Sequence, residues 1–169
     1  KMVAVANFKG GVGKTSTAAH LAMSAALDGY KVLVLDLDSQ GSMTSIFGGK
    51  VDDEWGTVFP LLARHYGQHL RTENQKRLDR GEQPLPLDDT LSEALSIKTS
   101  DVIQSTHWPN IDLIGAQLNL YWSEFQIPVW RMQSRGWKMW DALSDVLAAD
   151  GVLNDYDLIF LDTPPALGY

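Results

Sequence analysis

Short, almost unbroken apolar runs punctuate the chain. Met2-Val3-Ala4-Val5-Ala6, Val32-Leu33-Val34-Leu35, Ile111-Asp112-Leu113-Ile114 and Leu158-Ile159-Phe160-Leu161 are too short for helices and do not alternate cleanly with polar residues. They predict strands covered on both faces, as in a parallel sheet, with Met2 to Ala6 central. Between them the apolar period lengthens to that of a helix. Lys14 to about Asp28 places Ala18, Leu21, Ala22, Ala25 and Ala26 on one face, with Gly29 as the stop. Leu118 to Phe125 and Arg135 to Ala149 read the same way; in the second, Trp137, Trp140, Leu143, Val146 and Leu147 form the apolar face and Asp150-Gly151 closes it. Strands alternating with helices define an α/β class with a mostly parallel sheet and flanking helices.

The pattern is weakest from 50 to 110, which is expected to be a poorly defined helical or loop-rich insertion. Asp52-Asp53-Glu54 suits the start of a helix carrying Val58, Phe59, Leu61 and Leu62. The basic stretch from Arg64 to Arg80 reads as a solvated helix face, and Gly81 to Pro86 as a turn or linker. Thr90-Leu91-Ser92-Glu93 has the form of a capping box, with Thr90 or a neighbour as the cap.

Chemistry concentrates where the first predicted strand meets the first helix, at Asn7-Phe8-Lys9-Gly10-Gly11-Val12-Gly13-Lys14-Thr15-Ser16-Thr17. Glycines at 10, 11 and 13 let the backbone curl and turn successive N–H groups toward one point, beside the positive end of the helix dipole. A polyphosphate suits that cradle. Lys14 would reach the β- and γ-phosphates and the Thr15 hydroxyl would ligate Mg²⁺, as in the pattern G-x-x-x-x-G-K-[ST]. Phe8 stands where that pattern asks for glycine, and Lys9 beside it adds a second positive charge at the mouth of the loop.

Carboxylates close two of the other apolar runs. Asp36 and Asp38, at i and i+2, share one side of an extended chain, and Asp162 ends the last run. The C-terminal ends of such strands are where ligands sit in open α/β sheets. Asp162 there is suited to hold Mg²⁺ through water, opposite the phosphate loop. Gln40 to Ser45 reads as a mobile segment entering a short helix, with Gly48-Gly49 ending it. His65 and His69 are an i, i+4 pair without the glutamate or third ligand of a zinc motif, and read as structural. Trp122, Trp130, Trp137 and Trp140 lack interleaved basic residues, so they are expected to pack in a core or against a second subunit rather than stack on bases.

Composition narrows the classes further. The 169 residues suit one domain, and the absence of cysteine removes disulfides and thiolate metal sites. A net charge of −7 gives this chain no electrostatic reason to hold nucleic acid by itself. No window is long and apolar enough to span a membrane and the start is not signal-like, so a cytoplasmic location is expected.

Lys9-Gly10-Gly11-Val12-Gly13-Lys14-Thr15 resembles the deviant phosphate loop of the ParA/MinD family of ATPases. Leu35 to Ser42 and Phe160-Leu161-Asp162-Thr163-Pro164-Pro165 resemble that family's two further nucleotide motifs. The long segment between them, with Ile114-Gly115-Ala116-Gln117-Leu118-Asn119-Leu120, is most similar to the larger plasmid partition proteins of ParA or RepA type. The resemblance implies a P-loop NTPase fold, of which residues 1–169 would be the N-terminal part, incomplete because the chain stops after the Walker B-like strand with another helix due after Tyr169. It implies ATP and Mg²⁺ as cofactors, bound by Gly10, Gly11, Val12, Gly13, Lys14, Thr15, Ser16 and Asp162. It implies that Asp38 orients the attacking water, that Asp36 is supporting or close to the metal, and that Lys9 crosses to the phosphate of a partner in an ATP-dependent homodimer. A ParB-like partner that stimulates hydrolysis, non-specific DNA binding through regions largely outside this chain, and association with the nucleoid follow from it as well. A membrane-associated positioning ATPase, a metabolic enzyme of the same superfamily and a purely structural nucleotide-binding module are the alternatives.

Overall fold

A computed structural model describes residues 1–7 and 9–165. Phe8, where the loop departs from the usual pattern, and residues 166–169, with whatever follows Tyr169, lie outside the described residues. Five strands form one sheet: β1 (Met2–Val5), β2 (Val32–Asp36), β3 (Gln104–Ser105), β4 (Ile111–Ile114) and β5 (Leu158–Asp162). Their order is β1-β5-β2-β4-β3, parallel throughout except for the antiparallel β3–β4 pair. The helices are α1 (Lys14–Leu27), α2 (Ser42–Ile46), α3 (Phe59–Asp79), α4 (Asp89–Ala94), α5 (Thr99–Val102), α6 (Tyr121–Gln133), α7 (Ala142–Ala149) and α8 (Val152–Asp155).

The two-residue period of the strands sorts the core into two layers. Val32, Val34 and Phe160 face one side, where Ala18, Ala19, Ala22, Ala25 and Ala26 of α1 and Met43 of α2 cover them. Small side chains bring the α1 backbone close to the sheet. Leu33, Leu35 and Ile159 face the other side, under Leu61, Ala63, Tyr66 and Leu70 of α3 and Val146 and Leu147 of α7. All five residues of β2 are buried, as an uninterrupted apolar run requires of a strand covered on both faces.

Segment 50–110 is far more regular than its pattern suggests. Its main element, α3, is a 21-residue helix whose buried side chains join the core on one side of the sheet. Arg64, read from sequence as part of a solvated face, is buried instead. Its guanidinium donates to Asp150 Oδ2 at 2.8 Å and to the Ile97 carbonyl at 2.6 Å, and the Thr99 N–H and hydroxyl donate to the same Asp150 oxygen at 2.7 Å each. Burial raises the Asp150 pKa, but these donors, with the Arg64 charge, hold it below the usual carboxylate value. His65 accepts the Trp137 indole N–H at 2.9 Å, and His69 meets the Ser134 hydroxyl at 2.7 Å; both histidines tie α3 to the segment between α6 and α7. Asp88 caps α4, accepting the Leu91 N–H at 2.8 Å.

Further expectations need correction. The first strand is not central among the described residues: β1 pairs with β5 alone and Met2 and Val3 are each 37% exposed. Leu21 points outward from α1, because the close-packed face is the alanine stripe. The helix expected from Arg135 begins at Ala142, since Ser134 is extended and the chain turns to insert Trp137 between His65, Tyr66 and Trp130. The preceding helix, α6, runs on through Pro128, which lacks the N–H that would bond the Glu124 carbonyl. Trp130 and Trp137 are therefore core, whereas Trp122 and Trp140 are exposed, beside Phe125 and Met132.

Candidate nucleotide site

The site lies at the C-terminal ends of β1, β5 and β2. Gly11 and Gly13 take left-handed conformations, φ 71° and 82°, which L side chains rarely adopt; they let the chain turn from β1 into α1. Gly13 precedes the first helical residue, and its carbonyl accepts the Thr17 N–H at 2.8 Å, closing the first turn. Gly10, Gly11, Val12 and Gly13 are exposed, Lys14 and Thr15 half-buried and Ser16 exposed. Before the turn, the Asn7 side chain accepts the Lys9 N–H at 3.0 Å, and Lys9 itself is exposed at the loop's mouth.

The register between β2 and β5 sets Asp36 directly opposite Asp162. Both follow the strand period onto the α1 side and both are fully buried. Their surroundings differ. Asp36 Oδ2 accepts the Thr44 N–H and hydroxyl, each at 2.8 Å, and its Oδ1 accepts the Asp38 N–H at 3.2 Å. Burial nevertheless pushes the Asp36 pKa up to about 6, against those hydrogen bonds, with a smaller push from the Asp162 charge. Neither oxygen of Asp162 accepts a hydrogen bond among the described residues. Burial raises its pKa; the nearby Thr15 hydroxyl lowers it, the Asp38 charge raises it and Lys14 lowers it, and the net direction is upward. A buried carboxylate with no hydrogen bond of good geometry among the described residues, near a lysine and a threonine at a helix N-terminus, could hold a cation.

Asp38 is half-buried. Its carboxylate accepts the Gln40 N–H at 3.0 Å and its carbonyl the Gly41 N–H at 2.9 Å, so the chain turns at Asp38 rather than running straight on. Gly41, with φ 64°, then starts α2. Opposite, the Thr163 hydroxyl donates to the Val5 carbonyl at 3.0 Å and ties the exit of β5 to β1. Lys14, Thr15, Asp38 and Asp162 thus converge, with Asp36 directly behind. Lys9 and Ser16 lie at the rim. Thr44 escaped attention in the sequence because it is one of several small polar residues after Gln40; its sole signal there was a spacing of eight from Asp36. Ala116, in the loop after β4, is buried, and its N–H donates to the Thr44 hydroxyl at 2.7 Å.

This arrangement defines a P-loop NTPase fold. A family model described as an AAA domain matches residues 1–169, and the chain belongs to that family, in its ParA/MinD-type branch of partition ATPases. It is 34% identical over its whole length to "Putative replication protein A" of Sinorhizobium fredii, covering 35% of that protein. Soj, the sporulation initiation inhibitor protein of Bacillus subtilis, is 29% identical over 99% of the chain, which covers 51% of Soj. Among solved structures, cobyrinic acid a,c-diamide synthase of Mycobacterium smegmatis with bound ADP and magnesium superposes with a TM-score of 0.70 at 25% identity, over 99% of this chain and 52% of that one. The chain spans between about a third and half of the length of these proteins.

Proposed function

We propose that the chain is the nucleotide-binding part of an ATP-driven switch for plasmid or chromosome partition, which hydrolyses ATP slowly and associates with DNA as an ATP-dependent homodimer. The observation that carries this reading is the fully buried Asp162, whose oxygens accept no hydrogen bond of good geometry among the described residues, close to Lys14 and the Thr15 hydroxyl. Thr15 and Asp162 would hold Mg²⁺, which would supply positive charge to the phosphate oxygens. The N–H groups of Gly10 to Ser16 line the anion cradle, and Lys14 neutralises the β- and γ-phosphates. Asp38 orients a water for in-line attack at the γ-phosphorus: the new bond is from water oxygen to phosphorus, the bond to the β–γ bridging oxygen breaks, and ADP leaves. Asp36, whose oxygens already accept three protein hydrogen bonds, supports Asp38 and is not a ligand. Exposed Lys9 reaches the partner subunit's nucleotide.

Sequence relatives favour the partition role over the metabolic one, since they include chromosome partitioning proteins of Myxococcus xanthus and Caulobacter vibrioides matched over 99% of this chain at 30% and 28% identity, against 25% for the diamide synthase. A ParB-like protein stimulates hydrolysis in this reading, and the switch works in the cytoplasm and on the nucleoid. No described helix is long and apolar enough to cross a membrane. The test is duplex-DNA retention by the full-length protein in MgATP and in MgADP across a salt series. Retention in MgATP that falls steeply with salt and is lost in Lys14→Ala supports the role. Hydrolysis without DNA affinity in either nucleotide would assign the site to another reaction.

A further inference from the structure

We propose that Thr44 is the positioning residue for Asp38, acting through Asp36, and that it links the water-orienting turn to the loop after β4. This rests on the reading of Asp38 given above. The Thr44 hydroxyl makes two bonds of opposite sense: it donates to Asp36 Oδ2 at 2.8 Å and accepts the Ala116 N–H at 2.7 Å. Its own N–H adds a second bond to Oδ2 at 2.8 Å. The other Asp36 oxygen receives the Asp38 N–H at 3.2 Å, so one buried carboxylate joins the start of the Asp38 turn to α2. Beyond Asp36, the turn is held by local bonds, from Gln40 N–H and Gly41 N–H back to Asp38. The Asp36–Thr44 pair is the turn's buried anchor.

Shape fixes the side chain that makes these bonds. A Cβ on Gly49 or on Gly115 would stand 3.1 Å from Thr44 Cγ2, and closer still to Leu113 and Val51, respectively, so the two glycines leave room for the Thr44 methyl. Thr44 is 5% exposed and Ala116 is 4% exposed, so water does not replace the hydroxyl. Only a hydroxyl both donates to the carboxylate and accepts from the N–H; valine, of the same shape, does neither. Without it, Asp36 loses a donor, the buried Ala116 N–H loses its acceptor, and the Asp38 turn loosens while the phosphate loop keeps all its own contacts.

The test is steady-state ATP hydrolysis by the full-length protein carrying Thr44→Val, Thr44→Ser, Asp38→Ala and the Thr44→Val/Asp38→Ala pair. Misplacement by about 1 Å lowers rates by about 100-fold, so Thr44→Val is expected to lower kcat by about 10- to 100-fold with KM for ATP within about 2-fold. Thr44→Ser restores kcat to within about 3-fold of wild type, and the double variant is no slower than Asp38→Ala alone. A Thr44→Val kcat at the wild-type level beside an impaired Asp38→Ala overturns the positioning role alone; so does a double variant that loses the product of the two single effects. An Asp38→Ala kcat at the wild-type level overturns the role of Asp38 itself, and this inference with it. Where Thr44→Val is not recovered folded, Thr44→Cys, a weak donor, carries the same comparison.

Discussion

Replacing Asp162 by asparagine should stabilise the nucleotide-free protein while removing its response to magnesium nucleotide. In the free protein the carboxylate is fully buried, opposite the equally buried Asp36, and among the described residues neither of its oxygens accepts a hydrogen bond of good geometry. A buried polar group left without a partner costs about 1–3 kcal/mol, more when charged. Asparagine keeps the shape and stays polar but removes the charge and its repulsion from Asp36 and Asp38, so Asp162→Asn should gain the excess cost of the charge, about 1–3 kcal/mol, without nucleotide. For a domain of this size each kcal/mol moves Tm by roughly 2–4 °C, which predicts a rise of about 2–12 °C. Magnesium nucleotide reverses the order. A ligand at 100 times its Kd stabilises wild type by about 2.7 kcal/mol, and a variant without the cation's buried partner should keep only the part of that increment seen with nucleotide and EDTA. Thermal unfolding followed by tryptophan fluorescence, in buffer, in MgATP and in ATP with EDTA, reads all three states. A lower Tm than wild type in buffer together with an undiminished MgATP increment would refute the reasoning and make Asp162 a structural residue.

Two further outcomes follow from the same geometry. Asp150→Ala strands the Arg64 guanidinium, whose side chain is 6% exposed, without its counter-ion, and is expected to destabilise by about 3–5 kcal/mol in urea unfolding; a loss under about 1 kcal/mol would contradict the account of α3. The Asp36 carboxyl binds its proton more tightly folded than unfolded, since its pKa rises from 3.8 to about 6. The folded state then binds more protons as pH falls through 6, so nucleotide-free wild type should gain stability relative to Asp36→Asn, by about 1 kcal/mol at pH 5 and about 3 kcal/mol below pH 3.8. Urea midpoints of the two proteins at matched pH check this, and a constant difference from pH 7 to pH 4 would refute it.

What the sequence revealed was set by local pattern. β2 and β5 were legible because their apolar runs are continuous, and α1 because glycines precede and follow an alanine-rich helical face. Lys14, Thr15, Asp38 and Asp162 stand out for the same reason, each at a strand end or a helix start. The facing of Asp36 and Asp162 was not legible, because it depends on β5 inserting between β1 and β2, a choice made by tertiary packing. The burial of Arg64 was hidden because its partner, Asp150, lies 86 residues away, and a basic residue without a visible partner reads as solvated. Pro128 and the late start of α7 were missed for a related reason: packing of Trp130 and Trp137 under α3 overrides the local period. Thr44 needed both Asp36 and Ala116 in place before its hydroxyl had a role.

The central claim is that nucleotide state controls association through Lys9 and Asp38. The measurement that tests it most directly is the molar mass of the full-length protein by light scattering in MgATP and in MgADP, with Lys9→Ala and Asp38→Ala alongside. The account predicts a dimer in MgATP alone, abolished by Lys9→Ala and prolonged by Asp38→Ala. The same mass in both nucleotides, with ATP binding verified, would contradict it.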